Sequence, residues 1–100
     1  MMHKEYQFTE KIWLYPGKAA WHFVSVPQNE TADIHYHFEH AKRGWGSLKV
    51  KVTIGNTIWN TSIFPDKKTN TFLLPIKKAV RDAENLEAGQ KVVVLLVVLE

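Results

Sequence analysis

Val92-Val93-Val94-Leu95-Leu96-Val97-Val98-Leu99 is apolar at every position. Successive side chains of a strand point to opposite faces, so a run with no polar alternation is expected to be covered on both sides and to lie inside a sheet. Left bare, it would be an aggregation-prone segment. The ribbon therefore asks for a wall of other strands, and the rest of the chain is read for them.

Moving upstream, Gly89 is placed to stop a helix or shape the loop after it. Ile76, Ala79, Val80 and Ala83 fall at i, i+3, i+4 and i+7, which predicts one buried helical stripe, with Lys77, Lys78, Arg81, Asp82 and Glu84 covering the outside. Thr71-Phe72-Leu73-Leu74 reads as a strand closed by Pro75, and Phe64 to Asn70 as a polar loop. Leu48, Val50, Val52 and Ile54 alternate with Ser47, Lys49, Lys51 and Thr53, and Gly55-Asn56 supplies a two-residue type II′ turn. Counting back from that turn pairs Ile54 with Thr57, Val52 with Trp59, Val50 with Thr61 and Leu48 with Ile63 on the inner face. Lys49, Lys51, Thr53, Ile58, Asn60 and Ser62 fall on the other, wet face.

Gln28 to His40 places Ile34, Phe38 and Ala41 at helical spacing, and Lys42-Arg43-Gly44-Trp45-Gly46 breaks that helix. Trp21 to Val26 alternates with apolar residues on both faces, predicting a strand covered on both sides and ended by Pro27. Tyr6 to Leu14 reads as a strand running into the turn Tyr15-Pro16-Gly17-Lys18. The two halves rhyme: Val24-Ser25-Val26-Pro27 and Leu73-Leu74-Pro75 each lead into a short helix. Five or six strands leave no room for parallel crossovers, so closure into a small barrel buries both strand faces and removes open edges.

With 100 residues, 45% of them hydrophobic, residues 1–100 make one domain that buries roughly two-thirds of its unfolded surface. The longest apolar run is far short of the ~20 residues of a membrane-spanning helix, and Met1-Met2-His3-Lys4-Glu5 has no apolar signal segment, so a cytoplasmic location without membrane partners is the expectation. There is no cysteine, which excludes disulfides and thiolate chemistry. A net charge of +3 is a mild bias, so the arrangement of charge matters more than its sum.

Arg43-Gly44-Trp45-Gly46-Ser47, Val52-Thr53-Ile54-Gly55, Thr61-Ser62-Ile63-Phe64-Pro65-Asp66, and Leu73-Leu74-Pro75 followed by Lys78-Ala79-Val80-Arg81 and Gly89 stand in this order along the chain. Together they resemble the bacterial DUF1905 family of unknown function, from Phe8 to Leu99. The resemblance implies a mainly β fold, a small double-split (AbrB-like) β-barrel of about six strands with two short helices. Leu74-Pro75, Val80-Arg81, Leu86, Gly89 and Val92 are similar to the strand-proline-helix-glycine-strand element of AbrB-type proteins, although Gln90 stands where many relatives carry an acidic residue. Members also occur fused to a YdeI/OmpD-associated domain. No activity follows from the family, since fold does not imply function.

His35 and His37 point about 200° apart on a helix, leaving His37 and His40 as two roughly aligned imidazoles without a third ligand, which argues for surface histidines and no metal. Ser25, Ser47 and Ser62 lack a nucleophile-elbow motif, and Gly44-Trp45-Gly46 lacks the ending of a phosphate loop. No cofactor motif is present. Trp59, Trp13 and Trp21 read as core. Trp45, in a glycine-flanked loop beside Lys42 and Arg43, is either a stacking platform for a ring or base or, as the plainer reading, a plug in one end of the barrel. The sequence thus points first to a non-enzymatic binding or accessory module with a ligand near Arg43, Trp45, Lys49 and Lys51. The alternative is a nucleic-acid-binding barrel using Lys49, Lys51, Lys77, Lys78 and Arg81, against which Asp66, Asp82, Glu84 and Glu87 interleave as in a solvated helix face. An enzyme of unfamiliar chemistry is the third. Ligand, partner and oligomeric state stay open.

Overall fold

The computed structural model describes residues 4–17 and 20–100, so the first three residues and Lys18 of the expected turn lie outside the described residues. Its elements are β1 (Glu5–Lys11), β2 (Trp13–Leu14), β3 (His22–Ser25), α1 (Gln28–Phe38), β4 (Leu48–Ile54), β5 (Thr57–Asp66), β6 (Thr71–Pro75), α2 (Lys78–Glu84) and β7 (Lys91–Val98). The described strands form one antiparallel seven-stranded sheet in the order β1-β7-β4-β5-β6-β3-β2. The fold is mainly β, as expected, and the sheet is curled.

The curl comes from two long stretches of chain that each serve both halves of the sheet. β5 pairs with β4 through Ile63 and with β6 from Phe64 onward. The stretch expected as one strand from Tyr6 to Leu14 is interrupted at Ile12, whose N–H donates to the Gln90 carbonyl (2.9 Å) and whose carbonyl accepts from the Gly89 N–H (2.7 Å). β1 before it pairs with β7, and β2 after it pairs with β3. The two ends of the strand order are therefore joined through a single residue.

The β4–β5 hairpin has the register expected from its turn, with Ile54 opposite Thr57, Val52 opposite Trp59, Val50 opposite Thr61 and Leu48 opposite Ile63. Gly55 takes φ 59°, as the first position of a type II′ turn requires. A Cβ there would collide with Glu84 Oε1. That carboxylate accepts from the Asn56 N–H (3.3 Å) and the Thr57 hydroxyl (2.6 Å), so α2 holds the hairpin tip. The Phe64–Asn70 segment is only partly a loop: Pro65 and Asp66 continue β5 opposite Phe72 and Thr71. Proline is tolerated because β4 pairing ends at Ile63, leaving no ladder bond for the missing N–H to make on that side.

One core runs along the inner face of the curl: Tyr6 and Phe8, Val24 and Val26, Leu48 to Ile54 on alternate positions, Ile63, Phe72 and Leu74, and Val92, Val94, Leu96 and Val98. Ile34 and Phe38 of α1 join it, as predicted, and Ala41 packs at its margin after a 3₁₀ turn. Thr31 stitches this junction. Its buried hydroxyl donates to the Val26 carbonyl (3.0 Å) and accepts from the Phe72 N–H (3.2 Å), while the Val26 N–H donates to the Phe72 carbonyl (2.8 Å).

In two places the packing departs from expectation. β7 lies between β1 and β4, inside the sheet as expected, but its second face is not sealed: Val93 is 50% exposed and Leu95 and Val97 are half-buried. Val97 sits between Glu5 and Lys51, and Leu95 between Gln7 and Thr53, whose stems shade an apolar strand without a second layer. In α2, Ala79 and Ala83 are exposed; the buried contacts come from Val80 within the helix and from Ile76 and Leu86 flanking it. Asn85, at φ 54°, ends that helix, and Gly89, at φ 92°, takes the second of its two expected roles and shapes the loop after it.

Candidate functional site

Trp21 precedes β3 and shares a face with Phe23 and Ser25, while Val24 and Val26 face the core. It is not core: its side chain is 54% exposed and stacks on Phe23 at 5.9 Å and 22°. Phe23 is in turn wedged by Trp13 (5.4 Å) and Tyr15 (5.9 Å), and the half-buried Trp13 donates its indole N–H to Ser25 Oγ (3.0 Å). The result is an aromatic platform braced from beneath and open to water above.

Trp45 is more exposed still. It does not plug the barrel, being 95% exposed. The Gly44–Gly46 turn is closed by hydrogen bonds from the Arg43 N–H to the Ser47 carbonyl (2.8 Å) and from the Gly46 N–H to the Arg43 carbonyl (3.0 Å). Trp45 itself adopts φ 65°, a left-handed conformation unfavourable to a bulky side chain. Gly46, at φ 76°, lies so near Pro65 that an added Cβ would come within 3.2 Å of the proline Cγ. Trp59, by contrast, packs partly buried against the core.

Three shallow depressions adjoin on this side, each sharing lining residues with the next. One, about 540 Å³, lies among Trp45, Phe64, Pro65 and Lys67. Phe64 also borders the next, about 410 Å³, which includes Lys49, Asn60, Ser62, Leu99 and Trp21. Trp21 and Pro75 are shared with the third, about 300 Å³, which Ile76, Lys77 and Arg81 complete. The Arg81 side chain is held there by its Nε–H, which donates to the Ile76 carbonyl (3.1 Å).

Charge is segregated along this track. Lys67, Lys49, Lys77 and Arg81 line it, and none of its lining residues is a carboxylate. Ion pairs among the described residues engage Lys4, His37, His40, Lys42 and Lys78, leaving those four cations without a carboxylate partner. Of the first expected site, Trp45 and Lys49 lie on the track, whereas the exposed Arg43 and Lys51 do not line it. Of the basic strip, Lys49, Lys77 and Arg81 border it, Lys51, on the same face of β4 as Lys49, does not line it, and Lys78 is paired with Asp82 at 2.7 Å. Trp21 was hidden from sequence reading because both faces of its strand are apolar; Val24 and Val26 taken as the core face would have pushed it outward.

The titratable groups with shifted affinities lie elsewhere, around α1. Asp33 accepts from the Tyr6 hydroxyl (2.7 Å) and pairs with Lys4 (2.9 Å), contacts that hold its carboxyl below the ordinary range. Burial, with Asp33 beside it, pushes the Tyr6 phenol up. His35 stacks on Phe72 at 4.6 Å, and burial there, with Lys42 nearby, lowers its pKa. His37 turns to Asp33 (3.6 Å) and His40 to Glu100 (2.7 Å), so the two do not converge.

Among curated proteins none matches the chain. No helix among the described residues is long and apolar enough to cross a membrane. The family model described as a domain of unknown function (DUF1905) matches residues 8–96, over the curled sheet and both helices, and the chain belongs to that family.

Proposed function

We propose that this protein is a non-enzymatic binding module whose ligand lies along the track from Trp45 through Phe64 to Trp21 and Arg81. The observation that carries the reading is the union of exposed aromatic surface with four unpaired cations along three adjoining depressions whose lining holds no carboxylate, although Arg81, at the far end, also borders a depression with Asp82 and Glu87. Exposed indoles offer flat apolar contact, and lysine or arginine beside them supplies the charge for an anion. The matching ligand carries planar rings and negative charge together. The left-handed Trp45 supports the same reading, because backbone strain at an exposed side chain brings no packing in return.

Amide chemical shifts test this with three probes: a nucleoside monophosphate, the uncharged nucleoside, and inorganic phosphate. The expected outcome is that the monophosphate moves His22, Lys49, Phe64 and Lys77 more than either fragment does. No response to any probe, or shifts centred on Asp82 to Glu87 instead, would contradict it.

A further inference from the structure

We infer that the occupant of this face is a single-stranded nucleic acid, held by stacking and phosphate contacts rather than by reading base edges. The inference rests on the binding-module reading above and names its ligand class.

The features of the track repeat. A compact ligand would need one platform and one cation, whereas here Trp45, Phe64 and Trp21 succeed one another along joined depressions with Lys67, Lys49 and Lys77 set between and beyond them. Aromatic surfaces alternating with positive charge match a polymer that alternates flat rings and phosphates, and every base has a π-face to offer. Its charge is complementary to a polyanion as well. All ten Asp and Glu of the chain lie outside the lining of the track, although the net charge is only +3. An acidic peptide would answer the charge but not the succession of exposed rings.

Duplex DNA fits less well. Its major groove admits a helix or a two-stranded ribbon. The exposed cation Lys78 of α2 is tied to Asp82, and the β4–β5 ribbon tip is latched to the Glu84 carboxylate, which would face phosphates with negative charge. A splayed single strand can instead follow the shallow track.

Fluorescence anisotropy with a labelled oligothymidylate of about twelve residues tests the inference, against the blunt duplex of equal length, an oligoglutamate peptide and thymidine monophosphate. The oligothymidylate is expected to bind more tightly than all three. With up to four phosphates neutralised, its affinity falls roughly 10- to 50-fold between about 50 and 200 mM salt. Trp21→Ala and Trp45→Ala each weaken it about 5- to 100-fold. Lys49→Gln, a change at an exposed position, lowers the salt slope and separates loss of binding from loss of fold. Equal or tighter binding of duplex or oligoglutamate, or indifference to both tryptophan substitutions, overturns the inference. If the monophosphate binds and the oligomer gains nothing over it, the ligand class is wrong and the binding module stands; if neither binds, both fall.

Discussion

The two strand-proline-helix units of this chain lie side by side, β3 antiparallel to β6, yet they do different work. After Pro27, the eleven-residue α1 buries Thr31, Ile34 and Phe38 and ties its outer side down through Asp33 to Tyr6 and Lys4. After Pro75, the seven-residue α2 buries only Val80 and leaves Lys77, before it, and Arg81 beside an open track. The same local design thus seals the core in one half and frames a surface in the other. Length makes the difference: the eleven residues of α1 bring three side chains to the core, whereas the seven of α2 bring only Val80 and leave Ala79 and Ala83 exposed.

The largest loss is expected on the sealed side. Ile34→Ala is expected to cost about 2–5 kcal/mol in urea unfolding, because it empties a fully buried position. Val80→Ala, the counterpart on α2, removes less side chain and should cost clearly less; equal losses would mean that the two helices share the load. Thr31→Val keeps the shape but leaves the buried Phe72 N–H without its acceptor, an expected cost of about 1–3 kcal/mol by the same assay. On the open side, Trp21→Ala gives up mainly its stacking on Phe23, about 1 kcal/mol, and a larger loss would show that the tryptophan is structural.

The smallest effect is one of pH. His35 is held neutral by burial against Phe72, so its folded pKa lies below the ordinary 6.5. The unfolded chain then takes up the proton first, and stability falls as pH drops from about 6.5 through the folded value. An imidazole carbon resonance of His35 that titrates at or above 6.5 would contradict this.

The hairpin register and the interior place of β7 were legible because Gly55 pins a two-residue turn and because alternation, or its lack, reports directly on faces. The half-open outer face of β7 was not, since its cover depends on the lengths of Glu5, Gln7 and Lys51 on neighbouring strands, and pairing between distant strands is not a local property. Trp21 and Phe23 posed a similar ambiguity: an aromatic face looks like core until the opposite face is known to be. The candidate track was legible only in fragments, as a glycine-flanked Trp45 and separate lysines, because β3, β5, β6 and the chain end bring it together across the fold.

The division of labour is tested most directly by measuring stability and oligothymidylate affinity on one variant, Trp45→Ala/Lys49→Gln/Lys77→Gln, whose three positions are all exposed. The expected result is unfolding within about 1 kcal/mol of the unaltered protein together with an affinity loss on the order of 100-fold. Unchanged affinity, or a fold that collapses along with it, would contradict the account.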